Sequence, residues 1–291
     1  MKKLQAKPQR VKDMTDNPAL MRLSKSKIGS FSGWCAFSFG LDNLLNIKGS
    51  SAMWTTLGVE AHQLVEEYYI GLAKCKTAKA MWKFAENYEP DPKIVKDMHE
   101  DAPTHLDVVI ALDLKRMQSL VDGGHSLLKY GRPVSVEEYM RVERDGTTQN
   151  KDISGMIDMV FRETDGGVGI YDLKTGKVKS IKDHYFQLHL YKWMYEEVHP
   201  GEEVTVLGII WSANGTVETV KPNKRSLNAA IKKIQTTRDR LQEAWDNRTE
   251  DNPLAGFKKA LRNPFPCSFC PMEHKSICWK EEYDVDLEVP E

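Results

Sequence analysis

Two acids and a lysine stand close together in the middle of this chain. Gly155-Met-Ile-Asp158 is followed, across a short turn, by Tyr171-Asp172-Leu173-Lys174-Thr175-Gly176, and Gln187 and Tyr191 come next. Hard divalent cations take oxygen ligands, so two carboxylates converging from neighbouring strands can hold Mg²⁺ or Mn²⁺. The Leu173 carbonyl offers a further backbone oxygen. Lys174 lies two residues beyond Asp172, which puts both side chains on one face of a strand. A lysine there can bind a phosphate or orient a metal-bound water, and the cation stabilises charge developing on phosphoryl oxygens. The chemistry implied is metal-assisted attack on a phosphodiester. Asp-x-Lys alone also fits a solvent-facing strand. The apolar run around Asp172 weighs against that, because an unpaired buried acid is costly.

The elements that must position these residues are legible from periodicity and turn signals. Val134 to Val142, Ile153 to Phe161 and Val168 to Lys174 read as strands, with Asp165-Gly-Gly167 as a hairpin turn between the last two. Residues 182–198 read as a helix carrying Gln187 and Tyr191. Val204 to Trp211 and Thr216 to Val220 read as strands joined at Asn214-Gly215, and Lys224 to Asn247 as a charged helix. Upstream, residues 55–73 are an amphipathic helix by the spacing of Leu57, Ala61, Leu64, Val65 and Tyr68, and 78–130 is mostly helical. This order predicts an α/β fold with a mixed sheet. The early helix carries His62, with Glu66 one turn later on the same face. His62 is an additional candidate metal ligand, although a lone helical histidine also fits a structural role.

The 291 residues are 41% hydrophobic and 29% charged, which matches a soluble globular protein. No apolar run approaches the ~20 residues of a membrane span, and no apolar stretch follows the basic start, so a cytoplasmic location is expected. The formal net charge is −1, which excludes a polycation. Positive charge is nevertheless clustered. Residues 1–23 read as a basic flexible arm, and Lys177, Lys179, Lys224 and Arg225 are candidates for contact with a nucleic-acid backbone. Each cluster alone also fits a solvated face.

Five cysteines occur: Cys35, Cys75, Cys267, Cys270 and Cys278. Cys267-Ser-Phe-Cys270 is a two-ligand hook for a sulfur-rich centre, and Cys278 follows it. Cys35 is the natural fourth thiol for such a centre. Alternatively, Cys267, Cys270, His274 and Cys278 make a zinc site, which leaves Cys35 as a buried thiol. Pro266-Cys-x-x-Cys270 is half of a zinc-deaminase pattern, but no His-x-Glu occurs in the chain, so that chemistry is set aside.

Gly58-x3-His62, Gly155-x2-Asp158, Asp172-x-Lys174 and Gln187-x3-Tyr191 stand in the order found in the RecB-like nucleases of the PD-(D/E)XK superfamily. The chain resembles that family over roughly residues 24–280. The resemblance implies a restriction-endonuclease-like core, a mixed sheet flanked by helices, with a helical N-terminal part and a C-terminal cysteine cluster. It implies His62, Asp158 and Asp172 as metal ligands, Lys174 as the catalytic lysine, and Gln187 and Tyr191 in support. The split cysteines resemble the subgroup that binds a [4Fe–4S] cluster, which includes AddB-type nucleases and CRISPR-associated adaptation exonucleases. The last cysteine spacing is longer than that subgroup's commoner pattern. One nuclease domain over residues 24–285 is expected, made of a helical part (24–132), a catalytic sheet (133–222) and a C-terminal helix with the cysteines (223–285). The activity implied is a Mg²⁺- or Mn²⁺-dependent exonuclease on DNA ends or single strands, with a helicase or recombination protein as a compatible partner. The rival reading is a non-catalytic DNA-binding protein that keeps the fold.

Overall fold

The computed structural model describes residues 17–50, 53–142, 153–260 and 264–283. Most of the expected basic arm therefore lies outside the described residues. From Asn17 to Leu23 the chain is folded rather than an arm. The Asn17 side chain caps a 3-10 turn (Pro18–Leu20), and Ala19 and Leu23 are buried. Charge counting missed this because the apolar residues that fold the segment sit just after the basic ones.

In chain order, a two-residue strand β1 (Leu23–Ser24) leads to α1 (Lys25–Gly29), a π-helical turn (Ser30–Trp34) and α2 (Ala36–Asn43). The Ser24 hydroxyl accepts from the Lys27 amide and starts α1. The helices α3 (Met53–Ala73), α4 (Ala78–Glu86), α5 (Pro92–Val95) and α6 (Ala102–Asp122) come next. Strands β2 (Pro133–Val142), β3 (Ile153–Arg162) and β4 (Val168–Lys174) precede α7 (Tyr185–Val198). After it come β5 (Val204–Trp211), β6 (Thr216–Val220), α8 (Lys224–Asp246), α9 (Pro264–Ser268) and α10 (Met272–Tyr283). The helix expected over 182–198 is split. Ile181–His184 is a 3-10 turn capped by Ser180, and the α-helix begins at Tyr185.

The chain divides into two compact units. The larger spans Ala52–Val142 and Ser154–Ile231. Its strands run in the order β2-β3-β4-β5-β6. β3 and β4 are antiparallel, β4 and β5 parallel, and β5 and β6 antiparallel. The parallel pair is joined through α7, as a parallel connection requires. Buried on one side of this mixed sheet are Leu64, Tyr68 and Leu72 of α3, Leu106, Val109 and Met117 of α6, and Met159, Phe161 and Leu173 of the strands. The α3 residues recur every three or four positions, which is the spacing of one helical face. The smaller unit takes the described residues before Ala52 and those from Lys232 on. Its core includes Phe31, Phe39 and Phe257, whose rings meet edge-on at 5.3 and 6.2 Å. There Arg238 donates to the Ala19 carbonyl at 2.7 Å.

One buried ion pair ties α3, α6 and β3. Asp113 on α6 accepts from the Tyr68 hydroxyl at 2.8 Å and from Arg116 at 2.6 and 2.9 Å. Arg116 also donates to the carbonyls of Tyr130 and Gly131, and its guanidinium lies 4.1 Å from the Phe161 ring centroid. Burial pushes the Tyr68 hydroxyl far above its ordinary range, and the Asp113 charge adds to this, so Tyr68 stays a neutral donor. Removing one member of a buried, hydrogen-bonded pair leaves its partner's charge uncompensated. Asp113→Ala is therefore expected to cost about 3–5 kcal/mol in denaturant unfolding. A loss below 1 kcal/mol would show that water reaches Arg116 and the pair is not holding the helices.

Candidate active site

The site is built on the middle of β3 and the end of β4. Met159 pairs with Tyr171, so Asp158 and Asp172 stand one step further along the same antiparallel register. Both acids are buried. The Leu173 amide donates to Asp158 Oδ2 at 2.7 Å, which fixes that carboxylate against the neighbouring strand. Lys174 Nζ lies against Asp172 Oδ2 as an ion pair and donates to the Leu173 carbonyl at 3.3 Å.

Two helices complete the cluster. On α3, His62 places Nε2 3.2 Å from the Leu173 carbonyl and Nδ1 3.5 Å from both Asp158 Oδ2 and Glu137 Oε1. Gly58, one turn before His62, runs beside the end of β4, with room for a Cβ at an ordinary contact distance of 3.6 Å from Thr175 Oγ1. On α7, Gln187 donates its amide to Asp172 Oδ1 and, at 3.3 Å, to the Tyr191 hydroxyl. Gln187 thus serves Asp172 rather than Lys174. Gly155 is a seat for the Tyr191 ring, whose edge would be 3.0 Å from an added Cβ.

Sequence reading missed Glu137. It sits on β2 with a positive φ of 46°, a conformation that costs a non-glycine residue energy. Its signal was a pair of glutamates, Glu137-Glu138, inside a strand beside the one carrying Asp158. Among the described residues, His62, Glu137 and Asp158 are the group whose ligand atoms all lie within 4.8 Å of one another. Glu66 lines the same hollow from α3, and its carboxyl is pushed up by burial and by the Glu137 charge.

The electrostatics are those of crowded anions. Burial pushes the Asp158 carboxyl up to about 7, and the Asp172 charge adds to this. His62, Lys174 and the Leu173 amide pull it back. Burial alone would lower the His62 imidazole, but the Glu137 hydrogen bond and the Asp158, Glu137 and Asp172 charges outweigh it and raise the net value. The donor set fits a hard cation, with three acids, an imidazole and a carbonyl in reach. Asp172 Oδ2 is taken by Lys174, whereas buried Gln187 Oε1 has no hydrogen-bond partner.

Lys177, Lys179, Lys224 and Arg225 are all exposed. In the smaller unit, Cys35, Cys267, Cys270 and Cys278 line one cavity together with His274. None of the five cysteines is disulfide-bonded. Burial and the neighbouring Cys35, Cys267 and Cys278 push the Cys270 thiol up to about 11. Both His274 nitrogens are engaged, Nδ1 with Ser38 Oγ and Nε2 with the Ile47 carbonyl, each at 2.8 Å. Cys75 stands apart, its thiol facing the carbonyls of Gly71 and Ala80.

A pH effect on stability follows. Asp158 binds its proton in the fold up to about pH 7 but has an ordinary value of 3.8, and His62 holds its proton above its ordinary 6.5. Groups that hold protons more tightly when folded stabilise at low pH and lose that contribution as pH rises. Metal-free protein should therefore lose stability between about pH 4 and 7 through Asp158, and above 6.5 through His62. Asp158→Asn should flatten the first slope and raise the midpoint at pH 7.5 by a few degrees, at roughly 2–4 °C per kcal/mol. Thermal melts in EDTA across pH 4–8 measure this. An equal slope in the variant would exclude Asp158 as its source.

The fold agrees with what known proteins show. No helix among the described residues is long and apolar enough to cross a membrane. No curated protein matches the chain. A solved structure from Eubacterium rectale, described as "Putative exonuclease", superposes with a TM-score of 0.52 at 13% identity, covering 94% of this chain and 91% of that one. At that identity the likeness concerns the fold. The sequence profile of the PD-(D/E)XK nuclease superfamily matches residues 22–278. With its mixed sheet flanked by helices, the chain belongs to the PD-(D/E)XK nuclease superfamily.

Proposed function

We propose that this protein is a divalent-metal-dependent deoxyribonuclease that removes nucleotides from DNA ends or single strands. The observation that carries the reading is the convergence of His62, Glu137 and Asp158 within 4.8 Å, beside the Asp172–Lys174 ion pair. His62, Asp158, Asp172 and the Leu173 carbonyl would hold Mg²⁺ or Mn²⁺, with Glu137 as an added oxygen donor. A bound cation of this kind supplies Lewis-acid stabilisation of the phosphoryl oxygens and acidifies a water.

The chain's own residues do the rest. Lys174 presents its ammonium to a non-bridging phosphate oxygen and offsets the charge that grows there. Gln187 holds Asp172 in one rotamer, and the Leu173 amide does the same for Asp158. Tyr191 keeps its hydroxyl proton, because burial and the Asp172 and Asp158 charges push it well above the neutral range, so it orients Gln187 rather than acting as a base. Lys177, Lys179, Lys224 and Arg225 would hold the DNA backbone with salt-sensitive affinity. The family match from residue 22 to 278 runs through both compact units and supports residues 24–285 as one nuclease domain. Recombination and repair are settings suited to such an activity.

End-labelled single-stranded and duplex DNA incubated with Mg²⁺ or Mn²⁺ tests the reading. Asp172→Ala and Lys174→Ala should each lower the rate by about a hundredfold or more, as expected when a preorganised charge is removed. Wild-type protein that digests DNA no faster than Asp172→Ala would leave the fold without the activity.

The smaller unit is proposed to hold a [4Fe–4S] cluster through Cys35, Cys267, Cys270 and Cys278. The support is that these four thiols line one cavity while His274 is committed to Ser38 and Ile47. Protein purified without oxygen should be brown and carry ~4 Fe, and His274→Ala should keep the iron. Stoichiometric zinc without iron would overturn the assignment.

A further inference from the structure

The candidate catalytic lysine sits at the last residue of β4, where a strand ordinarily frays. Lys174 is paired with Trp211 across the parallel ladder, and the chain then leaves the sheet through Thr175-Gly176. The carbonyl of Lys174 is nonetheless doubly engaged. The Ser212 amide donates to it at 3.0 Å, which extends the ladder by one bond. The Ser212 hydroxyl lies 3.3 Å from the same oxygen. Ser212 is buried, so its hydroxyl has to be satisfied within the protein.

The second partner of that hydroxyl is His105, whose Nδ1 is 2.9 Å from Ser212 Oγ. A carbonyl only accepts, so the hydroxyl donates to Lys174 and accepts from His105 Nδ1–H. The direction of the chain is therefore imidazole to hydroxyl to carbonyl. Burial lowers the His105 value, against the opposing effect of Asp101, so the ring is neutral near pH 7. Protonation would leave Nδ1–H in place, and the relay does not depend on it.

His105 lies in the first turn of α6, the helix whose Asp113 also binds Tyr68 of α3. α3 carries His62. One rigid helix thus fixes both the strand end that bears Lys174 and the helix that bears His62. We propose that His105 and Ser212 are positioning residues for Lys174, holding its backbone so that the ammonium meets the phosphate in one register. Neither touches the reacting atoms. The inference rests on the nuclease reading above for its kinetic consequence, but not for its structural one.

Two variants separate the idea from general destabilisation. Asparagine places an amide nitrogen close to the position of histidine Nδ1, so His105→Asn keeps the donor, whereas His105→Ala removes it. With DNA cleavage as readout, His105→Ala and Ser212→Ala should lower kcat roughly tenfold to a hundredfold with KM little changed, as for a misplaced catalytic group. His105→Asn should recover most of kcat and show the wild-type pH–rate profile. Amide exchange over residues 172–176 and 209–213 should be faster in His105→Ala and return in His105→Asn, whether or not the protein cuts DNA. Unchanged exchange in His105→Ala overturns the inference, as does a kcat that His105→Asn fails to recover. A pH limb lost in His105→Asn also overturns it, because the imidazole would then be titrating in the reaction. Failure of the nuclease reading is a separate result: wild type and Lys174→Ala would cut equally slowly while the exchange effect persisted.

Discussion

Buried negative charge governs this molecule. Asp158 and Asp172 occupy adjacent strands at one end of a sheet, both out of solvent, with Glu137 beside them. Ionised carboxylates in such a place are costly unless positive charge or donors surround them. Two cations of the chain itself supply part of that charge. Lys174 lies against Asp172, and His62, its imidazole raised toward the protonated form, faces Asp158 and Glu137. The arrangement is still short of positive charge, since burial and Asp172 hold the Asp158 carboxyl up. A divalent cation held there, as proposed above, would relieve the same shortage of positive charge. It would compete with the His62 proton, so its affinity would rise with pH as the imidazole is freed.

Much of the surrounding structure reads as the framework that such crowding demands. Gln187 and the Leu173 amide each take one carboxylate and fix its orientation. Gly155 makes room for the Tyr191 ring that backs Gln187. Behind them the Asp113–Arg116–Tyr68 network locks α3 onto α6. That network is itself a buried charge pair, and its carboxylate is satisfied by three donors. The contrast is informative. Asp113 has enough donors to be stable as it stands, whereas the acids at the sheet end do not. Stability favours the first arrangement, and reactivity requires the second.

The strands and helices that carry the site were legible from alternation, helical spacing and the Asp-Gly-Gly and Asn-Gly turns, because each of those signals is local. Strands at 134–142, 153–161, 168–174, 204–211 and 216–220 agree with the structure to within a residue. Asp158, Asp172, Lys174 and His62 were visible because their residue types are unusual in apolar or helical settings. Glu137 was not, since its approach depends on how β2 lies against β3 and on a left-handed backbone at one residue. The partner of Gln187 was not legible, because spacing gives the face of a helix but not which strand residue it meets. His105 and Ser212 were invisible for the same reason. They are 107 residues apart, and no local pattern links them.

The cysteine cavity poses the same electrostatic problem in another unit. Four thiols line one hollow, and the Cys270 thiol is pushed up by burial and by the other three. His274 looked from sequence like a fourth ligand in a zinc site. A ring with both nitrogens bonded, one to a serine and one to a carbonyl, has no lone pair to give without breaking a buried bond. Those bonds join α10 to α2 and to the segment just after it, so their loss would loosen the two stretches that carry Cys35 and Cys278. Of the two ligand sets weighed above, the all-thiolate one leaves this histidine in place.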